Sequence, residues 1–393
     1  MPSSEYVFIH PLLGADEAWS GYLVEPRPGT DGSEMLRSLC ADPQLDEFDH
    51  RQKWFIPTCV SLSDTCRRNE RSVIVFPATP AGHPDTESLG QLEAELRKAS
   101  CKLALLATPG SRLPATGTWD YLLLGASHAR SLPPYTLLGQ ASRTVVVAVD
   151  VHSHTDREWL LNNACTLSTC EFMLIRANPG AKADMTRVKL LELLALIADD
   201  ADTPALEAIF RQESKLSYSL LRLVNSAAVA PRNPITSFAQ AINLLGRRQL
   251  QRWLQLLVYA DPNNGTHPNP LLQKAAARGR LLELLAPHLL PVPETEALDD
   301  AAFMVGTFSL LDVLLNMSMQ EILQQLPLTE VVRGALAEHA GTLGKLLQAI
   351  ETTEERDLTK SGQLLDGLGI TGHRHLASQL EAFKWAAKIR PNV

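Results

Sequence analysis

Asp120, Asp150, His152 and His154 are the side chains of the first half that could move a proton or hold a cation. Asp150 closes the apolar run VVVAVD, the end of a strand at which a barrel enzyme keeps a site residue. A turn acid is the plainer use of that position. In the second half His373 and His375 form a His-x-His that would put both rings on one side of a strand and could hold a metal. Gly369, Ile370 and Gly372 just before them read instead as a turn or helix start, which favours solvated histidines. Asp312, a lone acid in an apolar helical stretch, needs a partner or water, and a structural hydrogen bond serves it best. The chain has no Gly-x-Ser-x-Gly, no phosphate loop and no Gly-x-Gly-x-x-Gly. The residues therefore predict no metal, no cofactor and no catalytic group.

The elements that must position these groups change rhythm along the chain. Apolar, β-rich runs at Tyr6–Ile9, Ser72–Phe76, Lys102–Leu106, Tyr121–Leu124 and Thr144–Val149 alternate with helical or irregular stretches. The clearest of those helices is Thr86–Ser100, with Leu89, Leu92 and Leu96 on one side. Such alternation indicates a parallel sheet covered on its faces, either barrel or open. Pro179-Gly180 reads as a boundary. Beyond it the chain is almost wholly helical, and it is organised around residues 216–246. There Leu216, Leu220, Leu221, Leu223 and Val224 form one buried helical face, and Asn225-Ser226 ends it. Pro231 and Pro234 forbid continuation, Ser237 with Gln240 fits a capping box, and Gly246 suits a left-handed stop.

Length, 393 residues, predicts two or three domains. The formal charge of −8 argues against nucleic acid as a partner. Locally, seven basic residues and only Glu213 as an acid lie between Arg211 and Ala260, a local excess that could steer an acidic partner or simply cover apolar helix surface with arginine stems. Six cysteines without a Cys-x-x-Cys spacing suggest reduced thiols. No run approaches the twenty apolar residues of a membrane span, so no membrane contact and a cytoplasmic location are expected.

Residues LLRLVNSA, the proline loop, ITSFAQAINLLG and the Trp-containing helix after it resemble the centre of the HDOD domain of bacterial signalling proteins. That domain is related to the HD phosphohydrolases but lacks their metal-binding His-Asp pair, and this chain has no His-Asp dipeptide. At the other end IHPLLGADEAWSGY is similar to the opening of EAL phosphodiesterase domains, (β/α)8 barrels that hydrolyse cyclic di-GMP with two divalent cations. Pro11, Gly21 and Tyr22 keep that pattern. Carried over position by position, the resemblance puts the signature glutamate on Leu23, the adjacent Asp pair on Leu106 and Ala107, the Lys and Asp on Leu123 and Gly125, and the catalytic Glu on His152. Glu25 would share a strand face with Leu23, but Pro26 and Pro28 suggest that the strand has already ended. The family's last strand falls on FMLIRANP.

The resemblance implies a shortened EAL-type barrel over residues 1–180 and an all-helical HDOD domain over 181–393, α/β plus all-α. The function it implies is a non-catalytic signal-transduction adaptor, not an enzyme, acting through protein–protein contacts. It argues against cyclic di-GMP as a partner, with a cyclic di-GMP sensor that binds without hydrolysis as the alternative. Other signalling proteins are the expected partners and a homodimer is left open. Arg222, Asn225, Ser226, Arg247 and Arg248 form the candidate interaction surface, although Asn225 and Ser226 serve equally as a helix C-cap.

Overall fold

The computed structural model describes residues 5–58, 71–78, 85–176, 192, 194–196, 214–225, 234–259 and 270–389. Its contacts divide the chain into two compact units, 1–175 and 176–393.

The first unit is a closed barrel of eight strands: β1 Val7–Leu13, β2 Trp19–Pro26, β3 Lys53–Pro57, β4 Ser72–Pro77, β5 Lys102–Ala107, β6 Tyr121–Gly125, β7 Val145–Val149 and β8 Leu167–Ser168. β1 runs antiparallel to both β2 and β8, and every other neighbour is parallel. The choice between barrel and open sheet, which apolar runs alone leave undecided, is thus made by β1 closing on Ser168 through Leu13. Alternate residues fill the lumen, among them Leu12, Leu23, Phe55, Val75, Leu123 and Val147, each at most 6% exposed. Their neighbours face outward, where α1 Ser33–Ala41, α2 Thr86–Lys98, α3 Ala126–Ser131, α4 Thr136–Ala141 and α5 His154–Asn162 are found.

Two strand ends differ from expectation. β2 continues through Glu25 to Pro26, because a proline is tolerated as a strand's last residue. FMLIRANP holds no strand among its described residues: Glu171–Leu174 is a 3-10 turn, fixed by Val151 N–H donating to the buried Glu171 carboxylate (3.2 Å) and by Phe172 N–H donating to the Val151 carbonyl (2.7 Å). The Pro179-Gly180 boundary lies outside the described residues. Cys40 is disulfide-bonded, contrary to the reduced state expected, while Cys101, Cys165 and Cys170 stand outside any disulfide.

The second unit is helical: α6 Ser214–Val224, α7 Phe238–Leu257, α8 Pro270–Leu285, α9 Leu298–Phe308, α10 Leu311–Leu315, α11 Met319–Leu323, α12 Glu330–Glu338, α13 Gly341–Glu354, α14 Leu358–Gly367 and α15 Gly372–Lys388. The α7 entry is capped as expected by Ser237, which accepts from Gln240 N–H; the Gln240 side chain reaches back one residue further, to Thr236. Gly246 interrupts α7 with φ 75°, a conformation cheap only for glycine, and the helix resumes after it. α8 and α9 cross at Gly279 and Gly306, where a Cβ on Gly306 would come within 2.6 Å of the Gly279 Cα. Trp385 of α15 packs on Trp253 and Phe303 to close the core.

Candidate functional site

All of β2 to β8 point the same way, so the ends of Glu25, Gly125 and Asp150 share one mouth of the barrel. Because β2 extends to Pro26, Glu25 falls on the lumen side, two residues nearer the mouth than Leu23. Its carboxylate lies 3.3 Å from Nε2 of His10, which comes from the antiparallel β1 and is almost fully buried. Asp150 follows β7 directly, exposed, with φ 57°. Aspartate is among the few residues besides glycine that adopt this left-handed conformation readily, which suits the turn after the strand. Its Oδ2 lies 3.7 Å from where a Cβ on Gly125 would sit, so the glycine leaves room over the mouth. His152 is exposed two residues on, and the His154 ring stands edge-on to Phe172 at 5.2 Å in the first turn of α5. Asp120 belongs to the opposite end, ahead of β6, where it pairs with Lys102 (2.6 Å) and accepts from Leu103 N–H.

The positions that the EAL resemblance assigns to metal and base chemistry carry no oxygen ligand. Leu23 and Leu123 are lumen core, Leu106 packs against that core, Ala107 is buried and Gly125 has no side chain. Hydrocarbon at those places does not fit a pair of hard cations, which need oxygen donors. Among the described residues no group of three or more His, Cys, Asp and Glu is gathered to hold a metal ion. The mouth instead offers Glu25 and Asp150 around an apolar throat.

In the helical unit the candidate surface residues take separate tasks. The Asn225 amide donates to the carbonyls of Leu221 and Ile235 and accepts from Ile235 N–H, all at 2.7 Å, which ties the end of α6 to the entry of α7. Arg222 lies over the Tyr218 ring (5.5 Å), and Tyr218 is 63% exposed. Arg248 is drawn to Asp300 (2.7 Å) and Asp299 (3.6 Å) at the start of α9, a pairing that also holds its pKa above the usual arginine value. Ser226 and the side chain of Arg247 lie outside the described residues. His373 and His375 open α15, so they diverge around a helix: His373 is exposed, whereas His375 is buried against Gln379 (3.1 Å), and burial pushes its pKa down to about 3. Asp312 is half-buried, and desolvation raises its pKa despite the Val313 N–H.

Sequence reasoning missed the charges inside this unit. Arg278, 3% exposed, donates to Ser309 Oγ (2.6 Å) and pairs with Glu351 (3.4 Å) and with Glu354, which Lys274 also reaches (3.5 Å). The partners are more than seventy residues apart in sequence, and the helical repeat of α8 does not distinguish an inward arginine from a surface one.

Residues 186–279 match the HDOD domain family. With the closed barrel ahead of them, the chain is a protein of the EAL–HDOD kind. It is 33% identical over 190 residues to the cyclic di-GMP phosphodiesterase CdgJ of Vibrio cholerae serotype O1, an alignment covering 48% of this chain and 43% of that one. It is 30% identical over 181 residues to the uncharacterised protein YuxH of Bacillus subtilis, covering 45% and 42%. The chain thus matches under half the length of either relative. The EAL domain of Mycobacterium smegmatis DcpA superposes with a TM-score of 0.34 at 13% identity, over 42% of this chain and 90% of that one.

Two expectations are corrected by these relations. The expectation that the chain is not an enzyme does not stand against a relative named as a phosphodiesterase, and neither does the exclusion of cyclic di-GMP as a partner. Both expectations rest on the positions that the resemblance assigns, whereas Glu25 near the end of β2 and Asp150 after β7 place carboxylates at the mouth from other positions. Among the described residues no helix is long and apolar enough to cross a membrane.

Proposed function

We propose that this protein acts in cyclic di-GMP signalling, binding cyclic di-GMP at the open end of its barrel and passing the bound state to protein partners through its HDOD helices. The observation that carries the reading is the relation to CdgJ, whose name ties that protein to cyclic di-GMP. The barrel supports it with the polar side chains of Glu25, Asp150 and His152 at the open end, above a lumen filled by apolar side chains. The HDOD part supports the output side with an arginine and exposed apolar groups on α6 and α7: Arg222, Tyr218 and Leu244, the last 62% exposed. Arg248 extends that proposed surface, and Asn225 sets its shape.

Calorimetric titration of the full chain with cyclic di-GMP and magnesium, followed by chromatography for the linear dinucleotide, tests the reading. Saturable binding with one site per chain is expected, and the chromatogram reads turnover in the same sample. Absence of heat and of product at millimolar ligand sinks it.

A further inference from the structure

The connection from β5 to β6 carries no helix. Parallel strands are ordinarily joined by a crossover helix that covers the outer face of the sheet. Here the connection is Thr108–Asp120, and Pro109, Gly110 at φ 83°, Pro114 and Gly117 at φ 82° keep it irregular. Among the described residues the outer face of β4 and β5 is consequently roofed by α2 alone, and a cavity of about 750 Å3 remains between that helix and the loop. It lies on the opposite face of the sheet from the lumen: Phe76 and Leu105 line it, whereas Val75 and Ala104 beside them fill the barrel interior. It is therefore separate from the mouth.

The lining has two characters. Phe76, Leu89, Leu105 and the indole of Trp119 form an apolar, partly aromatic wall; Phe76 and Trp119 have ring centroids 5.5 Å apart, and the Arg97 guanidinium holds the indole from another side at 5.1 Å. Two charged residues complete it. Arg112 is exposed and makes no ion pair among the described residues. Arg97 Nε donates to Glu93 Oε1 (2.8 Å), and the other carboxylate oxygen accepts no hydrogen bond from the described residues. A volume of this size, an aromatic wall and a few polar groups are the features of a small-molecule site.

The geometry points to a second ligand site for a guanine mononucleotide in this crevice. The base would lie against Trp119 and Phe76, its phosphate would meet Arg112, and its N1–H and exocyclic amine, adjacent donors that adenine lacks, would give to the acceptor-only carboxylate of Glu93. This site is independent of the cyclic di-GMP reading, which concerns the mouth.

The test is calorimetry on the full chain with GMP, AMP, guanosine and inorganic phosphate, each against wild type, R112Q, W119L and E93Q. Expected are tighter binding of GMP than of AMP, guanosine or phosphate; at least tenfold weaker GMP binding in R112Q and W119L; and a GMP preference over AMP that vanishes in E93Q. Arg112 is exposed, so R112Q folds even where W119L does not, and it should bind cyclic di-GMP as wild type does. No binding of GMP, equal binding of GMP and phosphate, or unchanged GMP affinity in R112Q overturns the assignment. Loss of cyclic di-GMP binding in R112Q overturns the separation of the two sites.

Discussion

On the outside of the barrel, pairs such as Lys102 with Asp120 and Arg130 with Asp156 stand at the surface, with side chains between 29% and 56% exposed, and the more buried contact is that of His10 with Glu25 at the mouth. In the helical unit Arg278 and Lys274 are at most 7% exposed in their pairs with Glu354, and Arg252 and Glu283 are 12% and 8% exposed in theirs. The barrel closes on hydrocarbon, whose attraction is not directional, so its lumen holds together without polar partners in fixed places. The helical unit seats its helices on charges that are tolerable only while every partner is present. A mouth can thus be rebuilt on the first scaffold with little effect on the fold, whereas α8, α13 and α15 are locked to one arrangement by pairs such as Arg278–Glu354 and Arg280–Glu381.

The contrast can be broken most strongly at Arg278. Arg278→Met should cost roughly 3–5 kcal/mol, because the buried Glu354 loses the arginine that pairs with it; urea unfolding followed by far-ultraviolet circular dichroism measures it. Leu123→Ala in the lumen should cost about 2–4 kcal/mol by opening a cavity, and the loss should track hydrocarbon removed, with Leu123→Met nearly neutral in the same assay.

Acid sharpens the contrast through two histidines of opposite sign. His375, with its pKa lowered to about 3 by burial, is neutral in the fold but takes a proton at about 6.5 once unfolded; its contribution is present above that pH and lost as pH falls, by up to ~1.4 kcal/mol per pH unit. His339 is raised by its hydrogen bond with Glu351 (2.7 Å), so its contribution is present below about 6.5 and lost as pH rises through its folded value. Midpoints of urea unfolding from pH 4 to 8 should show a shallower acid limb in His375→Gln and a shallower alkaline limb in His339→Gln. The smallest effect is expected for Lys102→Ala, under about 1 kcal/mol and weaker still in high salt, because Lys102 and Asp120 remain wet.

What the sequence made legible follows from the range of the forces involved. The strands β4 to β7, the capping of α7 by Ser237 and the break at Gly246 are local signals, and each is found where the pattern of a few residues puts it. The HDOD resemblance rested on such local signals and matched residues 186–279. Closure of the barrel through Leu13 and Ser168, the inward turn of Arg278, and the 3-10 turn at Glu171 depend on partners 20 to 155 residues away, which periodicity cannot see. At the mouth Asp150 is visible as a strand-end acid, whereas Pro26 and Pro28 suggest a strand that has ended before Glu25; β2 instead runs through Glu25 with Pro26 as its last residue.

Hydrogen–deuterium exchange of the full chain with and without cyclic di-GMP tests the placement of the ligand most directly. Slowed exchange is predicted at the strand ends around Glu25, Gly125 and Asp150, with α2 and the Thr108–Asp120 loop unchanged. Protection confined to the helical unit, or to α2 and that loop, or no protection at saturating ligand, would contradict binding at the mouth of the barrel.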